Sequence, residues 1–228
     1  MVTILQLETA TQVCSAALSV NGETIAVKEL AAQNIHAGSL TLFIREVMAT
    51  AGLTYTDLDA VAVSKGPGSY TGLRIGVSTA KGLCFALDKP LIGIETLRMM
   101  AQGFLKTADN YTGLVCPMID ARRMEVFTGL YDHDLNEVLP VEAKIIEENS
   151  YQEQLKTQQL TFIGDGAMKC NTFIISPNAA FSDLNFNSAS NMSLLAYNAF
   201  TTGHFEDVAY FEPYYLKDFV VTQAKKKV

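Results

Sequence analysis

Residues 60–76 read AVAVSKGPGSYTGLRIG and join a buried strand to a helix through a glycine-rich turn. The apolar start of this segment is typical of a parallel strand that is buried on both faces. Pro67 fixes its own backbone angle φ, and the glycines permit conformations or close approaches that a Cβ atom would prevent. We expect Ser69 or Thr71 to cap the helix, which extends to about Leu87. This strand–turn–helix unit predicts an α/β fold.

The elements around this unit complete a first half of the chain. An antiparallel meander of three strands comes first, and Asn21-Gly22 is the signal for a tight hairpin turn within it, because that turn needs positive φ at both positions. Apolar residues at helical spacing then predict a helix before the unit. The predicted strands are 2–8, 13–20, 24–31, 60–64 and 91–94, and the predicted helices are 36–51, the one to Leu87 and one to about Lys106.

The rest of the chain repeats this order of elements, although no residue-level repeat is visible. Strands are predicted at 114–119, 124–131, 137–146 and 160–163, and helices near 148–157, 166–171 and 191–203. Two such halves predict two α/β lobes, each a mixed sheet flanked by helices, which is the topology of the actin, sugar kinase and heat-shock ATPase fold. We place the first lobe at 1–107 and a smaller, degenerate second lobe at 108–228, since 107–112 is polar.

Composition narrows the class of protein. The chain has 228 residues, of which 49% are apolar and 18% charged, so it is expected to fold around a substantial core. A net charge of −7 argues against a protein that binds nucleic acid without a partner protein. No apolar run approaches the roughly 20 residues of a spanning helix, so we expect no membrane segment. Four cysteines without CxxC spacing predict buried, reduced thiols in a cytoplasmic protein.

The helix after the glycine-rich turn carries two stripes of small residues. Gly72, Gly76 and Ala80 recur every four residues, and Ser78, Gly82 and Ala86 form a second stripe in the same way. A glycine inside a helix costs about 1 kcal/mol relative to alanine, so these residues need a compensating close contact. That contact is predicted with the helix at 36–51, with a partner chain, or with both.

The glycine-rich turn itself has two interpretations, which the sequence leaves open. Free backbone N–H groups at a helix N-terminus favour a phosphate or carboxylate ligand. The turn can equally serve packing alone. The segment matches neither the P-loop nor the GxGxxG pattern.

Acidic residues occupy equivalent places in the two halves. Glu8 and Thr9 follow the first strand of the first half, and Asp120 ends the first strand of the second. In a two-lobed nucleotide-binding fold such carboxylates face the cleft and hold Mg²⁺-phosphate, while Gly164 and Gly166 would approach the adenosine. A small-molecule kinase or ATPase is therefore one hypothesis. Since no Walker lysine or catalytic base is evident, we interpret these residues as a vestigial cleft.

Other catalytic chemistry lacks the residues that it needs. No HxxxH or HExxH pattern occurs, and Leu40 stands where a second ligand would follow His36. No GxSxG elbow marks a nucleophile, so a peptidase is not predicted. We therefore predict no catalytic residue and no metal site in this chain, and interpret His36 as a polar residue at a helix start.

Four segments resemble one known family. ILQLETATQVCSAAL (4–18), AVSKGPGSYTGLRIGVSTAKGL (62–83), MIDARRMEVF (118–127) and EPYYLK (212–217) match the TsaB family, also known as YeaZ. Its members are dimerization subunits of the bacterial tRNA threonylcarbamoyladenosine synthase. This chain departs from the family's usual Asp-Thr-Ser with Glu8 and Ala10, which argues further against nucleotide binding.

The resemblance implies a non-catalytic scaffold with the two-lobed fold. The implied partners are the catalytic subunit TsaD and the ATPase subunit TsaE, with a homodimer when the chain is alone. The complex transfers threonylcarbamoyl from threonylcarbamoyl-AMP to N6 of the adenosine next to the tRNA anticodon. ATP and a metal ion are expected on the partner subunits, no cofactor is expected on this chain, and tRNA is expected to be bound only through the complex.

The resemblance also implies an interface. In the family it lies on the helix after the first meander and on the helix after the GPGS turn, both in the first lobe. The residues so predicted are His36, Leu40, Phe43, Val47, Ser69, Tyr70, Thr71, Gly72, Ile75, Gly76, Thr79 and Ala80.

Overall fold

A computed structural model describes residues 1–32 and 35–217. The first half of the chain has the predicted order of elements, with bounds close to those expected. Its elements are β1 (Thr3–Glu8), β2 (Val13–Val20), β3 (Glu23–Ala31), α1 (His36–Ala51), β4 (Ala60–Gly66), α2 (Tyr70–Leu87), β5 (Leu91–Glu95) and α3 (Thr96–Leu105).

The second half differs from the prediction in its later part. The helices predicted near 148–157 and 166–171 shorten to α4 and to a 3₁₀ turn at Met168–Cys170, and a strand at Ala179–Phe181 was not expected. Three residues are too few to show strand periodicity, so only pairing reveals this strand. The elements are β6 (Leu114–Asp120), β7 (Glu125–Tyr131), β8 (Glu137–Ile145), α4 (Gln152–Thr157), β9 (Leu160–Ile163), β10 (Ala179–Phe181) and α5 (Ser193–Thr201).

The strands form two sheets with equivalent topology. The first has the order β3-β2-β1-β4-β5 and the second the order β10-β9-β6-β7-β8. In each sheet an antiparallel meander lies on one side of the first strand and a parallel strand on the other. The predicted two-lobed architecture with mixed sheets is confirmed.

The helices place one core on each face of the first sheet. α1 and α2 cover one face and pack on residues such as Leu7 and Val63. α3 and α5 contribute to the other core, which also contains Val115 and Ile163 from the second sheet. Because α5 belongs to the second half but contacts β1 and β5, the predicted boundary near 107–112 separates the strands and not the helices. The division into lobes at 1–107 and 108–228 stays a prediction.

The C-terminal segment, residues 206–217, returns to the first half. The Glu206 N–H donates to the Leu91 carbonyl at 2.9 Å, and the Tyr214 N–H donates to the Lys65 carbonyl at 2.7 Å. The Lys81 ammonium donates to the carbonyl oxygens of Ala209 and Phe211. These bonds fix the segment beside the glycine-rich turn.

The described residues bear on two further expectations. All four cysteines are buried and unpaired. None of the helices within 1–32 and 35–217 combines the length and apolar content that crossing a bilayer requires.

Candidate functional site

The first stripe of small residues on α2 packs against the turn that follows β1. A Cβ atom at Gly72 would overlap the Thr9 carbonyl oxygen, and one at Gly76 would overlap the Thr9 hydroxyl. The Thr9 hydroxyl donates to the Gly72 carbonyl at 2.8 Å. A Cβ atom at Gly68 would likewise overlap the Ala10 backbone. The compensating contact is therefore the β1–β2 turn, an intramolecular partner that the sequence did not indicate.

Two backbone donors at the start of α2 bond within the chain. Ser69 caps the helix, as predicted, and its hydroxyl accepts the Gly72 N–H at 3.2 Å. The Ser69 N–H donates to the Ala10 carbonyl at 2.6 Å. These two bonds support the packing interpretation of the turn.

The C-terminal segment closes the other side of the turn. Gly66 has φ +115°, and a Cβ atom there would lie 2.6 Å from the Tyr214 carbonyl oxygen. The rings of Tyr70 and Tyr215 lie 4.9 Å apart. Three of the four segments that carry the family resemblance, 4–18, 62–83 and 212–217, thus meet around the first turns of α2.

The outer surfaces of α1 and α2 expose apolar and small residues. Phe85 is 85% exposed and Leu42 is 45% exposed, which is unusual for side chains of this size. Gly38 and Gly82 have open space where a Cβ atom would stand. Both helices lie on the same face of the first sheet and contact each other. The exposed parts of these two helices are named the α1–α2 face below.

The predicted interface residues divide into two groups. Five of the twelve lie at the surface and seven are buried under it, so the buried ones would support the α1–α2 face from below. The residues at the surface are Ser69, Tyr70, Thr71, Ile75 and Thr79, and the buried ones are His36, Leu40, Phe43, Val47, Gly72, Gly76 and Ala80.

Phe85 is exposed on α2 but is not among the predicted interface residues. The second small stripe was the available signal, because Ser78, Gly82 and Ala86 are all exposed in the structure. Periodicity alone does not say which of two stripes faces outward.

His36 has a structural position. It is the first residue of α1, it is buried, and its Nε2 lies 3.2 Å from the Val13 carbonyl oxygen. The interpretation as a polar residue at a helix start agrees with this contact. Leu40, one turn later, belongs to the core.

Glu8 is fully buried at the end of β1. One carboxyl oxygen accepts the Ala10 N–H at 2.5 Å, and the other has no hydrogen-bond partner. Burial raises the pKa of Glu8 from 4.5 to about 7, while the Ala10 N–H and the neighbouring Ser64 hydroxyl oppose this rise. A buried carboxyl group of this kind is poorly suited to hold Mg²⁺-phosphate, because it is partly protonated near neutral pH and closed to solvent.

The cleft residues that were predicted in the second half also make contacts with neighbouring residues of the chain. Asp120 accepts the Arg122 N–H at 2.8 Å and forms an ion pair with Lys169. A Cβ atom at Gly164 would lie 2.5 Å from the Met118 carbonyl oxygen, and the Gly166 N–H donates to that oxygen at 3.0 Å. These glycines thus pack on β6.

A cavity of about 700 Å³ lies elsewhere in the chain. It is lined by Lys65, Gly66 and Pro67, by Glu95 at the end of β5, by the first half of β8, and by the C-terminal segment. None of the five predicted cleft residues, all of them described, lines this cavity: Glu8, Thr9, Asp120, Gly164 and Gly166.

Comparison with known proteins identifies the class of protein. Residues 26–225 match the family model described as "TsaD: tRNA N6-adenosine threonylcarbamoyltransferase". The structure of inorganic polyphosphate/ATP-glucomannokinase from Arthrobacter sp. strain KM superposes with a TM-score of 0.50 at 8% identity, covering 87% of this chain and 99% of that one. At this identity the likeness shows the shared fold alone. The chain therefore has the fold of the sugar kinases within a family of tRNA-modifying proteins.

More similar proteins identify the branch of that family. The Bacillus subtilis "tRNA threonylcarbamoyladenosine biosynthesis protein TsaB" is 30% identical over 71% of this chain and 70% of its own length. The structure of YeaZ from Pseudomonas aeruginosa has a TM-score of 0.80 at 26% identity, with 95% of this chain and 100% of that chain covered. The chain belongs to the TsaB (YeaZ) family.

The match to other relatives is partial. The Escherichia coli protein of the same name is 39% identical over 58% of this chain and 56% of its own length. The chain thus spans about half the length of this curated relative.

We predict opposite effects of alanine at two glycines of α2. Gly72→Ala should lower the free energy of unfolding by at least about 2 kcal/mol, because the new Cβ overlaps Thr9 backbone. Gly82→Ala, in the same helix with open space, should raise it by about 0.5–1 kcal/mol. Urea unfolding measures both. Equal effects at the two positions would contradict the packing of α2 on the β1–β2 turn.

A second prediction concerns the pH dependence of stability. The folded chain holds the Glu8 proton more tightly than the unfolded chain, since its pKa is raised from 4.5 to about 7. The corresponding stabilisation, about 3 kcal/mol, is fully present below pH 4.5 and is lost as the pH rises through about 7. Glu8→Gln should therefore gain stability relative to wild type between pH 4.5 and 8.

Urea unfolding at several pH values tests this difference. The matched control is Glu153→Gln on α4, where the side chain is exposed, and Glu8→Gln should gain stability relative to this control as the pH rises. A Glu8→Gln difference that does not change with pH would show that this carboxyl group titrates normally.

Proposed function

We propose that this chain is a non-catalytic scaffold subunit of the complex that makes threonylcarbamoyladenosine in tRNA. The observation that carries the proposal is the α1–α2 face, where an 85% exposed Phe85 lies beside open glycine positions. Exposed aromatic and small residues on two packed helices are typical of a protein–protein interface. The proposed partner is the catalytic subunit TsaD, with a homodimer formed through the same face when the chain is alone.

The proposed absence of catalysis is supported by the positions of the candidate groups. His36 bonds to backbone beneath the α1–α2 face, and Glu8 is closed to solvent. Asp120 forms an ion pair with Lys169. We therefore assign ATP and the metal ion to the partner subunits, including the ATPase subunit TsaE, and the transfer of threonylcarbamoyl from threonylcarbamoyl-AMP to N6 of adenosine to TsaD.

The acidic charge supports the proposal that other parts of the complex bind the tRNA. With a net charge of −7, this chain is poorly suited to bind the tRNA phosphate backbone alone. We propose that tRNA is held by the assembled complex, in the cytoplasm.

We predict that Phe85→Ser weakens binding to the catalytic subunit by at least about tenfold. Removing a large exposed ring takes away buried apolar area from the complex but not from the core. The matched control is Ile175→Ser, because Ile175 is also 85% exposed but lies in the second half. Calorimetry with the catalytic subunit measures both variants, and sedimentation equilibrium measures the homodimer.

Unchanged affinity of Phe85→Ser, with the variant shown to be folded, would contradict the α1–α2 interface. A bulky residue at Gly76 is unsuitable for this test, because it would overlap Thr9 and disturb the fold itself.

The alternative function, a small-molecule kinase or ATPase, makes a different prediction. A scaffold should give no binding heat when the isolated chain is titrated with ATP and Mg²⁺, since the predicted cleft residues make internal contacts. Saturable binding that Asp120→Asn abolishes would favour the alternative over the scaffold.

A further inference from the structure

The turn between β6 and β7 carries two consecutive arginines in an unfavourable backbone conformation. Arg122 has a φ of 71° and Arg123 a φ of 54°, so both lie in the left-handed region. Residues other than glycine rarely adopt this conformation, because their Cβ atom approaches the following carbonyl oxygen. Both positions therefore hold residues that the backbone alone would not favour.

The first sheet offers a comparison within the same chain. The hairpin between β2 and β3 also has two consecutive residues at positive φ, and there the residues are Asn21 and Gly22. Asparagine and glycine tolerate positive φ more readily than arginine does. Two arginines in a hairpin turn of the second sheet are thus costly for folding, which indicates that their side chains have another role.

The two guanidinium groups are available to an external ligand. Both arginine side chains are exposed. Within the part of the chain that the structure describes, neither the Arg122 nor the Arg123 guanidinium forms a hydrogen bond or an ion pair. The backbone beneath them is fixed, because the Lys169 ammonium donates to the Arg123 carbonyl at 2.9 Å. Cations that are held in place without an internal partner suit an anion from outside the chain.

The carboxylates around this turn already have partners. Asp120 pairs with Lys169, and Glu125 pairs with Lys217. The Asp165 carboxylate accepts the Asp120 N–H at 3.0 Å. These acidic groups are therefore engaged by neighbouring residues, while the two guanidinium groups are not.

Aromatic rings lie close to the same turn. Lys217, which pairs with Glu125 at the start of β7, follows Tyr215 by two residues, or about 7 Å of extended chain. The Tyr215 ring lies 4.9 Å from the ring of Tyr70, and the Arg74 guanidinium lies 5.1 Å from the Tyr70 ring. Rings beside cations are typical of surfaces that bind RNA loops, because bases stack on the rings and phosphates pair with the cations.

We propose that Arg122 and Arg123 bind phosphate groups of tRNA, with the Tyr70–Tyr215 pair as a neighbouring surface for base stacking. This inference rests on the proposed function, which brings a tRNA-binding partner to the chain. Guanidinium groups suit phosphates because each can donate two parallel hydrogen bonds to one phosphate. Tyr70 begins α2, so the surface adjoins the α1–α2 face, where the catalytic subunit is proposed to bind. The acidic chain then adds local contacts to a tRNA that the complex holds.

Fluorescence anisotropy with labelled tRNA tests the proposal on the complex of this chain with the catalytic subunit. Arg122→Gln/Arg123→Gln should weaken tRNA binding by at least about tenfold at about 0.1 M salt. Each lost phosphate contact should also reduce the slope of log affinity against log salt by about 1. The matched control is Arg98→Gln, since Arg98 is exposed on α3, and its complex should bind tRNA like wild type.

A second double variant separates tRNA binding from backbone conformation. Arg122→Asn/Arg123→Gly introduces the residue types found at positions 21 and 22, so the urea midpoint of the isolated chain should rise. Its complex should nevertheless bind tRNA as weakly as that of the glutamine variant. A purely structural role of the arginines predicts the opposite, a lower midpoint with unchanged tRNA affinity.

The remaining outcomes separate this proposal from the proposed function. Equal tRNA affinity and salt slope in wild type and both double variants would overturn the proposal, as would equal weakening by Arg98→Gln. If wild type binds the catalytic subunit in sedimentation but the double variants do not, the arginines contact a protein, and the proposal is overturned. Failure of wild type itself to bind that subunit would overturn the proposed function and this proposal with it.

Discussion

The contact between α2 and the turn after β1 is the constraint on which the rest of the first lobe depends. Three glycines, Gly68, Gly72 and Gly76, bring a helix against the backbone of Thr9 and Ala10 more closely than any side chain allows. Glycine destabilises a helix by itself. The contact must therefore stabilise the fold by more than the glycines destabilise α2. It fixes the helix to the first strand, and the outer side of α2 takes its orientation from it.

The same contact determines what the end of β1 can do. In nucleotide-binding members of this fold class the strand end and the helix N-terminus would face a ligand. Here the Ser69 N–H bonds to Ala10, the Thr9 hydroxyl bonds to Gly72, and Glu8 is buried with a raised pKa. Polar groups that could bind a ligand or take part in catalysis instead form hydrogen bonds within the chain. Function is then expected on outward-facing surfaces, which is where Phe85 and the cavity aromatics lie.

Much of the fold could be predicted from the sequence because its signals are local. Apolar periodicity indicated α1, and Asn21-Gly22, with φ of 50° and 86°, marked the hairpin. Features that depend on tertiary contacts could not be predicted. The glycine spacing predicted a close contact but not its partner, since Thr9 lies 63 residues from Gly72 in sequence. The cavity could not be predicted either, because its carboxylates are dispersed from Glu95 to Glu212 and each resembles an ordinary surface residue.

The distribution of charge and apolar surface supports the idea that this chain works as part of an assembly. Some of its apolar residues are exposed on α1 and α2, while five of its 24 acidic residues line one cavity. Acidic charge near tRNA raises the electrostatic free energy of the phosphates unless a counterion lies between them. The apolar α1–α2 face, whose contacts do not depend on charge, is the surface suited to hold an acidic chain in such an assembly.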